Sequence, residues 1–274
     1  MYHRLYAPRE YNRNMPASDA GIRRVLERRS PVLATLQASP ARKPELVADL
    51  KSSRSTVDRA IRELTEAGLV ETDGSEYMVT TAGRLALREH SEYERAMDAV
   101  SSTRTFVNHL PRDAPVNTSL LEGASITMGA DHAPDQALKP SNELFERATR
   151  MRGLAPVVLS FYPSLIAERL DEGDLTVEVV AEPDVLKALP TLPEFGTESL
   201  SEVDGLELYE SGAELPYALW IMDTPKSSYA GITAYKHGGV AGVLINDAQE
   251  AVQWAEDQYT RYLEGASQIS IPEL

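Results

Sequence analysis

Apolar residues in the first third of the chain recur at helical spacing, and the runs they mark are separated by turn-forming residues. Ile22, Val25, Leu26, Val32, Leu33 and Leu36 mark one helix, in which Pro31 is expected to introduce a kink. Ser39-Pro40 and Pro44 break the chain, and Leu46, Val47 and Leu50 form the inner face of a second, shorter helix. After Lys51-Ser52, Ser53 is placed to cap a third helix with its hydroxyl. Val57, Ala60, Ile61 and Leu64 then fall at i, i+3, i+4 and i+7, a single buried stripe. Gly68 provides a left-handed helix stop, and Asp73-Gly74 is a hairpin turn between Val70-Glu71 and Tyr77–Val79.

A long helix is expected from Thr81 to about Leu110, with Tyr93, Ala96, Val100, Thr103, Val107 and Leu110 stepping by three and four. Such a seam packs either on its own chain or against a second copy. Pro111 and Pro115 end it. From residue 116 onward strand and helix patterns alternate. Strands are expected at Val116–Leu121, Ser125–Met128, Ala155–Phe161, Leu175–Val180, Leu206–Tyr209 and Tyr217–Met222. A helix capped by Ser141 runs to about Met151, another spans Ser164–Leu170 before Gly173, and a third opens at Pro183-Asp184 and continues to Leu189. Residues 190–205 read as an irregular connection. Ala230–Tyr235 and Val240–Ile245, joined around Gly238-Gly239, form an antiparallel hairpin, with His237 at its tip. Asp247 and Glu250 then have capping-box spacing at the head of a helix to about Leu263. This alternation predicts an α/β sheet flanked by helices, partly parallel, with an antiparallel end.

The order helix, turn, helix, hairpin is that of a winged helix-turn-helix, whose second helix enters a DNA major groove. Opposite the apolar stripe of that helix lie Arg54, Ser55, Asp58, Arg59 and Arg62. Alone, such a face is an ordinary solvated surface; in this order it points to DNA. Arg54, Ser55 and Arg59 are the candidates for base edges. Lys43, Lys51, Arg62 and the wing residue Ser75 are the candidates for phosphates, with Ser53 and Thr56 in the same helix start.

Charge changes the picture along the chain. Overall there are 27 Lys+Arg against 42 Asp+Glu, which by itself argues against a polyanion partner. Residues 1–90 nevertheless hold 15 basic and 12 acidic side chains, and residues 91–274 hold 12 and 30. Only the N-terminal part presents an attractive face to phosphates. With six lysines among the 27 cations, the composition also suits a salt-rich cytoplasm of a halophile, where the Debye length falls to about 3 Å and crowded carboxylates repel weakly. An acidic mesophilic regulator is the other reading. The chain lacks cysteine, which excludes disulfides and thiolate metal sites. Its first residues lack the apolar core of a secretory signal, and no run is long enough to span a bilayer, so a cytoplasmic location is expected.

The segment RSTVDRAIRELTEAGLVE, the wing followed by YMVTTAGRLAL, and the stretch from VEVVAEPDVL through GLELYESGAELPYALWIMD to AVQWAEDQYTRYLEG resemble archaeal winged-helix transcription regulators with a FilR-type middle domain, a group abundant in halophilic archaea. The resemblance covers the chain beyond about residue 20. It implies a repressor or activator whose C-terminal domain senses a small molecule or mediates assembly. It further implies a C-terminal fold similar to the sensor domains of sugar-responsive archaeal regulators, which resemble phospholipase D folds that have lost catalysis. Phospholipase D chemistry needs a His two residues before a Lys, and His109, His132 and His237 are followed there by Pro111, Pro134 and Gly239. No nucleophile elbow or phosphate-binding loop appears, and Asp131-His132 alone is an incomplete constellation, so no catalytic residue, cofactor or metal is expected.

The expected organisation is a flexible arm at 1–19, a winged helix-turn-helix at 20–80, a linker and dimerisation helix at 81–111, and an α/β effector-sensing or regulatory domain at 112–274. Effector contact is expected at the strand-end loops around His132, Ser160, Phe161 and Tyr162, where open α/β sheets bind ligands. The leading reading is a sequence-specific, ligand-responsive DNA-binding regulator acting as a homodimer on double-stranded operator DNA. An architectural DNA-binding protein whose C-terminal domain only mediates protein contacts is the alternative, and a nuclease with a DNA anchor a more remote one.

Overall fold

The computed structural model describes residues 19–130, 132–159, 162–189, 205–236 and 239–269. The expected arm (save Asp19), Ser160, Phe161, nearly all of the 190–205 connection and the tip at His237-Gly238 lie outside the described residues. The chain divides into two compact units, Met1–Arg95 and Ala96–Leu274.

The first unit contains α1 (Asp19–Ala38), α2 (Lys43–Asp49), α3 (Arg54–Glu66), the antiparallel strands β1 (Val70–Asp73) and β2 (Glu76–Val79), and the start of α4 (Thr81–Val107). Pro31 lies inside α1 without ending it. Leu33, Leu36, Leu46, Val57, Ala60, Ile61, Leu64 and Leu69 close one core, and this is the stripe that the spacing marks out. Gly68 at φ 71° and Gly74 at φ 62° take the left-handed conformations needed at the helix stop and the hairpin turn. Backbone bonds between Ala41 and Tyr77 add the chain ahead of α2 to the free edge of β2, anchoring the hairpin.

Arg29 joins α1 to α3. Its Nε donates to Glu63 Oε2 at 2.9 Å and its Nη2 to Oε1 at 3.3 Å, with the guanidinium largely buried. This bond, above all, holds the Glu63 carboxyl below the usual carboxylate range. A carboxylate with a depressed folded-state pKa stabilises the fold above its unfolded pKa of about 4.3, and that contribution is lost as pH falls through the folded value. Arg29→Gln is therefore expected to cost about 1–2 kcal/mol at pH 7 and much less at pH 3, as measured by urea unfolding at the two pH values.

The second unit is built on a mixed eight-stranded sheet. Its strands are β3 (Ser125–Met128), β4 (Arg150–Ala155), β5 (Thr176–Ala181), β6 (Leu206–Glu210), β7 (Ala218–Asp223), β8 (Ser228–Lys236), β9 (Gly239–Asn246) and β10 (Ser267–Ile269). They lie in the order β10-β6-β5-β4-β7-β8-β9-β3, with β4, β5 and β6 parallel and every other pair antiparallel. One face buries Leu154, Val180, Leu219, Ile221 and Ile232 beneath α9 (Gln249–Leu263) and the short α5 (Thr118–Leu121). Residues of alternate parity on the other face form two clusters. The larger lies under α6 (Lys139–Phe145) and α7 (Tyr162–Asp171), the smaller under α8 (Pro183–Ala188).

Four expected elements differ. Residues 118–121 form a helical turn rather than a strand, because the Asn117 carboxamide accepts from Leu120 N–H and starts it. The strand expected at Ala155–Phe161 lies earlier, at Arg150–Ala155; Pro156 has no N–H to offer the ladder and ends it. Ser141 does not cap its helix but lies inside it, its hydroxyl donating to the Leu138 carbonyl. The head of α9 is set by the Asn246 carboxamide accepting from Ala248 N–H, not by a box of Asp247 and Glu250. The edge strand β10 is too short to be read from spacing. Among the described residues, no helix is long and apolar enough to cross a membrane.

Asp223 and Glu256 meet at one cation. Arg152 on β4 donates through Nη2 to Asp223 Oδ2 on β7 and Glu256 Oε1 on α9, each at 3.1 Å. On the neighbouring strand, at the rung paired with Arg152, Glu178 of β5 accepts from Tyr259 of α9. Polar bonds thus cross the same interface that the apolar cluster fills.

Candidate nucleic-acid interface

The face of α3 turned away from its apolar stripe begins at a well-made N-terminus. Ser53 has extended backbone and its Oγ accepts from Thr56 N–H at 3.2 Å. The same oxygen lies 3.0 Å from Ser55 Oγ and 2.8 Å from Thr56 Oγ1, so three hydroxyls cluster at the positive end of the helix dipole. Arg54 is the first helical residue, and Ser55, Arg59 and Arg62 follow at i, i+4 and i+7 along one line. All of these side chains are exposed. Lys51, Arg54 and Arg59 form no ion pair among the described residues, whereas Arg62 reaches Glu66 at 4.0 Å with both partners solvated. An exposed pair at that distance contributes little and yields readily to a phosphate.

Lys51 occupies the turn between α2 and α3 at φ 47°, a left-handed conformation that costs a lysine energy and tightens the turn. Ser75 is exposed at the hairpin tip. Lys43 is placed differently from the other cations. Its Nζ lies 2.7 Å from Asp58 Oδ1 and 5.7 Å from the Tyr77 ring centroid, and the bond to Asp58 raises its pKa. Asp58, read at first only as a polar residue of the outer face, thus holds one of the phosphate candidates. The spacing 43 to 58 crosses two helices and leaves no periodic trace, which is why the pairing is invisible in the sequence.

In the second unit the expected effector residues are not all together. Tyr162, at the head of α7, lines a cavity of about 140 Å³ on the sheet face opposite α9. His132 is exposed and does not line it. The cavity lies where the two apolar clusters of that face meet; Val158, Val179, Ala181 and Leu208 form much of its wall. Ala155, Ala181, Ala218 and Thr233 place part of it toward the carboxyl ends of β4 and β5. That is where open α/β sheets hold ligands. Sequence reasoning reached this end of the sheet through Tyr162 but missed Trp220, Thr233 and Tyr235, whose strand patterning reads simply as core.

The two units define a class of protein: a small basic helical unit with a hairpin, followed by an acidic α/β unit. Residues 134–265 match the family model described as "Methanogenesis regulatory protein FilR1, middle domain", and residues 18–102 match the "HVO_A0261 N-terminal domain". No curated protein matches the chain. Among solved structures, TrmBL2, described as an archaeal chromatin protein with a novel mode of DNA binding, is similar at 12% identity and TM-score 0.41, over 92% of this chain and 99% of that one. NucT from Helicobacter pylori (12% identity, TM-score 0.39) and the phospholipase D family member Nuc from Salmonella typhimurium (11%, 0.39) each align over 53% of this chain and 98% of their own. The first of the two family models is named for a regulatory protein and spans most of the α/β unit.

Proposed function

We propose that the chain is a winged helix-turn-helix transcription regulator of a halophilic archaeon that recognises its operator through α3 and acts in the cytoplasm without catalysis. One observation carries this reading: Arg54, Arg59 and Arg62 stand exposed on one side of a helix whose opposite side is fully engaged in the core. A helix so held offers its first turns to a major groove, with the hairpin beside it for the backbone. The acidic remainder of the chain repels DNA and so favours an approach through this face. A gel shift against selected sequences, run at matched high salt, tests the reading. Sequence preference supports it, whereas uniform binding supports an architectural role instead.

Homodimerisation belongs to the same proposal, because half-sites of helix-turn-helix operators mirror a protein two-fold axis. The seam expected along α4 divides. Thr103 is buried and donates to the Ala99 carbonyl, while Tyr93 at 62% and Val100 at 41% exposure are open, with Met97 between them at 47%. Apolar residues at i, i+4 and i+7 on a solvated helix face supply a stripe for a second copy. Val100→Glu is expected to shift the protein from dimer to monomer in sedimentation at micromolar concentration, with an unchanged circular-dichroism spectrum. A dimer that survives this change places the interface elsewhere.

We also read the second unit as the sensor, with an effector in its cavity shifting the balance between two dimer geometries by binding one of them better.

A further inference from the structure

Among the described residues that line the cavity there is no carboxylate, ammonium, guanidinium or imidazole. The polar atoms of its side chains belong to Tyr162, Trp220, Thr233 and Tyr235 alone. Tyr162 is engaged, donating to Asn142 Oδ1 at 3.2 Å, and burial pushes the Tyr162 and Tyr235 phenols up, so both stay neutral. Trp220 is different. It is 4% exposed, its indole lies across Gly231 of the neighbouring strand, and its Nε1 is buried without a hydrogen-bond partner and without surface open to the cavity, so the residue offers the cavity carbon rather than its N–H. A buried donor left unpaired is costly and rare.

Size and chemistry then select the occupant. A cavity of about 140 Å³ is close to the roughly 150 Å³ apolar cavity that admits benzene in an engineered protein. Among the described residues no counter-charge meets a desolvated anion, and the few polar side chains cannot replace the hydrogen bonds that a sugar would lose to water. We propose that the cavity binds a neutral, ring-sized organic molecule that is apolar over its surface. This assigns a chemical class to the effector and sets it apart from sugars and sugar phosphates. It rests on the reading of the second unit as a sensor, but its test contains no DNA. Failure of ring binding therefore leaves the gel-shift result standing, and the reverse holds equally.

The full chain carries two tryptophans, so Trp254→Phe leaves Trp220 as the single indole reporter. Acetophenone, toluene and glucose 6-phosphate are titrated in turn, followed by fluorescence and by thermal shift. The expected result is saturable binding of both ring compounds, with no response to glucose 6-phosphate. Ala181→Leu fills the cavity and abolishes both; Val158→Phe, outside the strands, serves the same purpose if Ala181→Leu fails to fold. No saturable response to either ring compound, tighter binding of glucose 6-phosphate, or unchanged affinity in a folded cavity-filled variant overturns the proposal.

Discussion

Replacing Arg54 and Arg59 together with alanine is expected to weaken operator binding at least about 100-fold while leaving the melting temperature unchanged. Each arginine that bonds a base edge discriminates by about 1–3 kcal/mol, and two on one helix lose most of the specific contact. Stability is spared because both side chains are exposed and neither makes an ion pair among the described residues. Ser53→Ala gives the contrasting result: it removes the cap of α3, costs about 1 kcal/mol of stability, and lowers affinity only as far as the helix start loosens. Electrophoretic retention against the selected operator, with thermal melts of the same preparations, separates the two. A double arginine variant that still prefers its operator removes α3 as the reading helix.

The second large effect lies in the α/β unit. Arg152→Ala is expected to cost about 3 kcal/mol, because it leaves Asp223 and Glu256 facing one another without the cation that joins them. Arg152 is 13% exposed and Asp223 28%, so water recovers only part of the lost interaction. Arg152→Met, which keeps the length of the side chain, still strands both carboxylates and recovers little. The triple change Arg152→Met, Asp223→Asn, Glu256→Gln removes the charge conflict and is expected to restore most of the stability. Urea unfolding of the four proteins checks this; a triple variant no better than Arg152→Ala shows that packing, not charge, dominates the site.

The first unit was largely legible in the sequence because its elements are local. Val57, Ala60, Ile61 and Leu64 announce a helix by spacing alone, and Gly68, Asp73 and Gly74 punctuate it with residues that tolerate left-handed or tight-turn backbone. The α/β unit was legible as an alternation of strands and helices but not in its boundaries. Val157–Leu159 is as apolar as any strand, yet Pro156 removes the N–H that would have joined it to the ladder, and the run lines a cavity instead. Asn117 and Asn246 set helix starts through carboxamide bonds that no periodicity reveals.

The candidate sites were legible in the same proportion. The outer face of α3 follows from its inner face, since a helix with one buried stripe must turn the remaining positions outward. The cavity depends on contacts between strands distant in sequence, where Trp220 meets Gly231 across the ladder, and a tryptophan in an apolar strand reads as core. Lys43 and Asp58 likewise come together only through the packing of α2 on α3.

That ion pair makes Asp58 a resident competitor. Any phosphate drawn to Lys43 arrives at an ammonium already occupied, and must evict a carboxylate that then stands beside the polyanion. Under the proposed function, random DNA, which makes few other contacts, would gain less from that exchange than a sequence that also engages the arginines. If α3 reads DNA as proposed, Asp58 would lower the background of chance encounters from the same helix that makes the specific contacts.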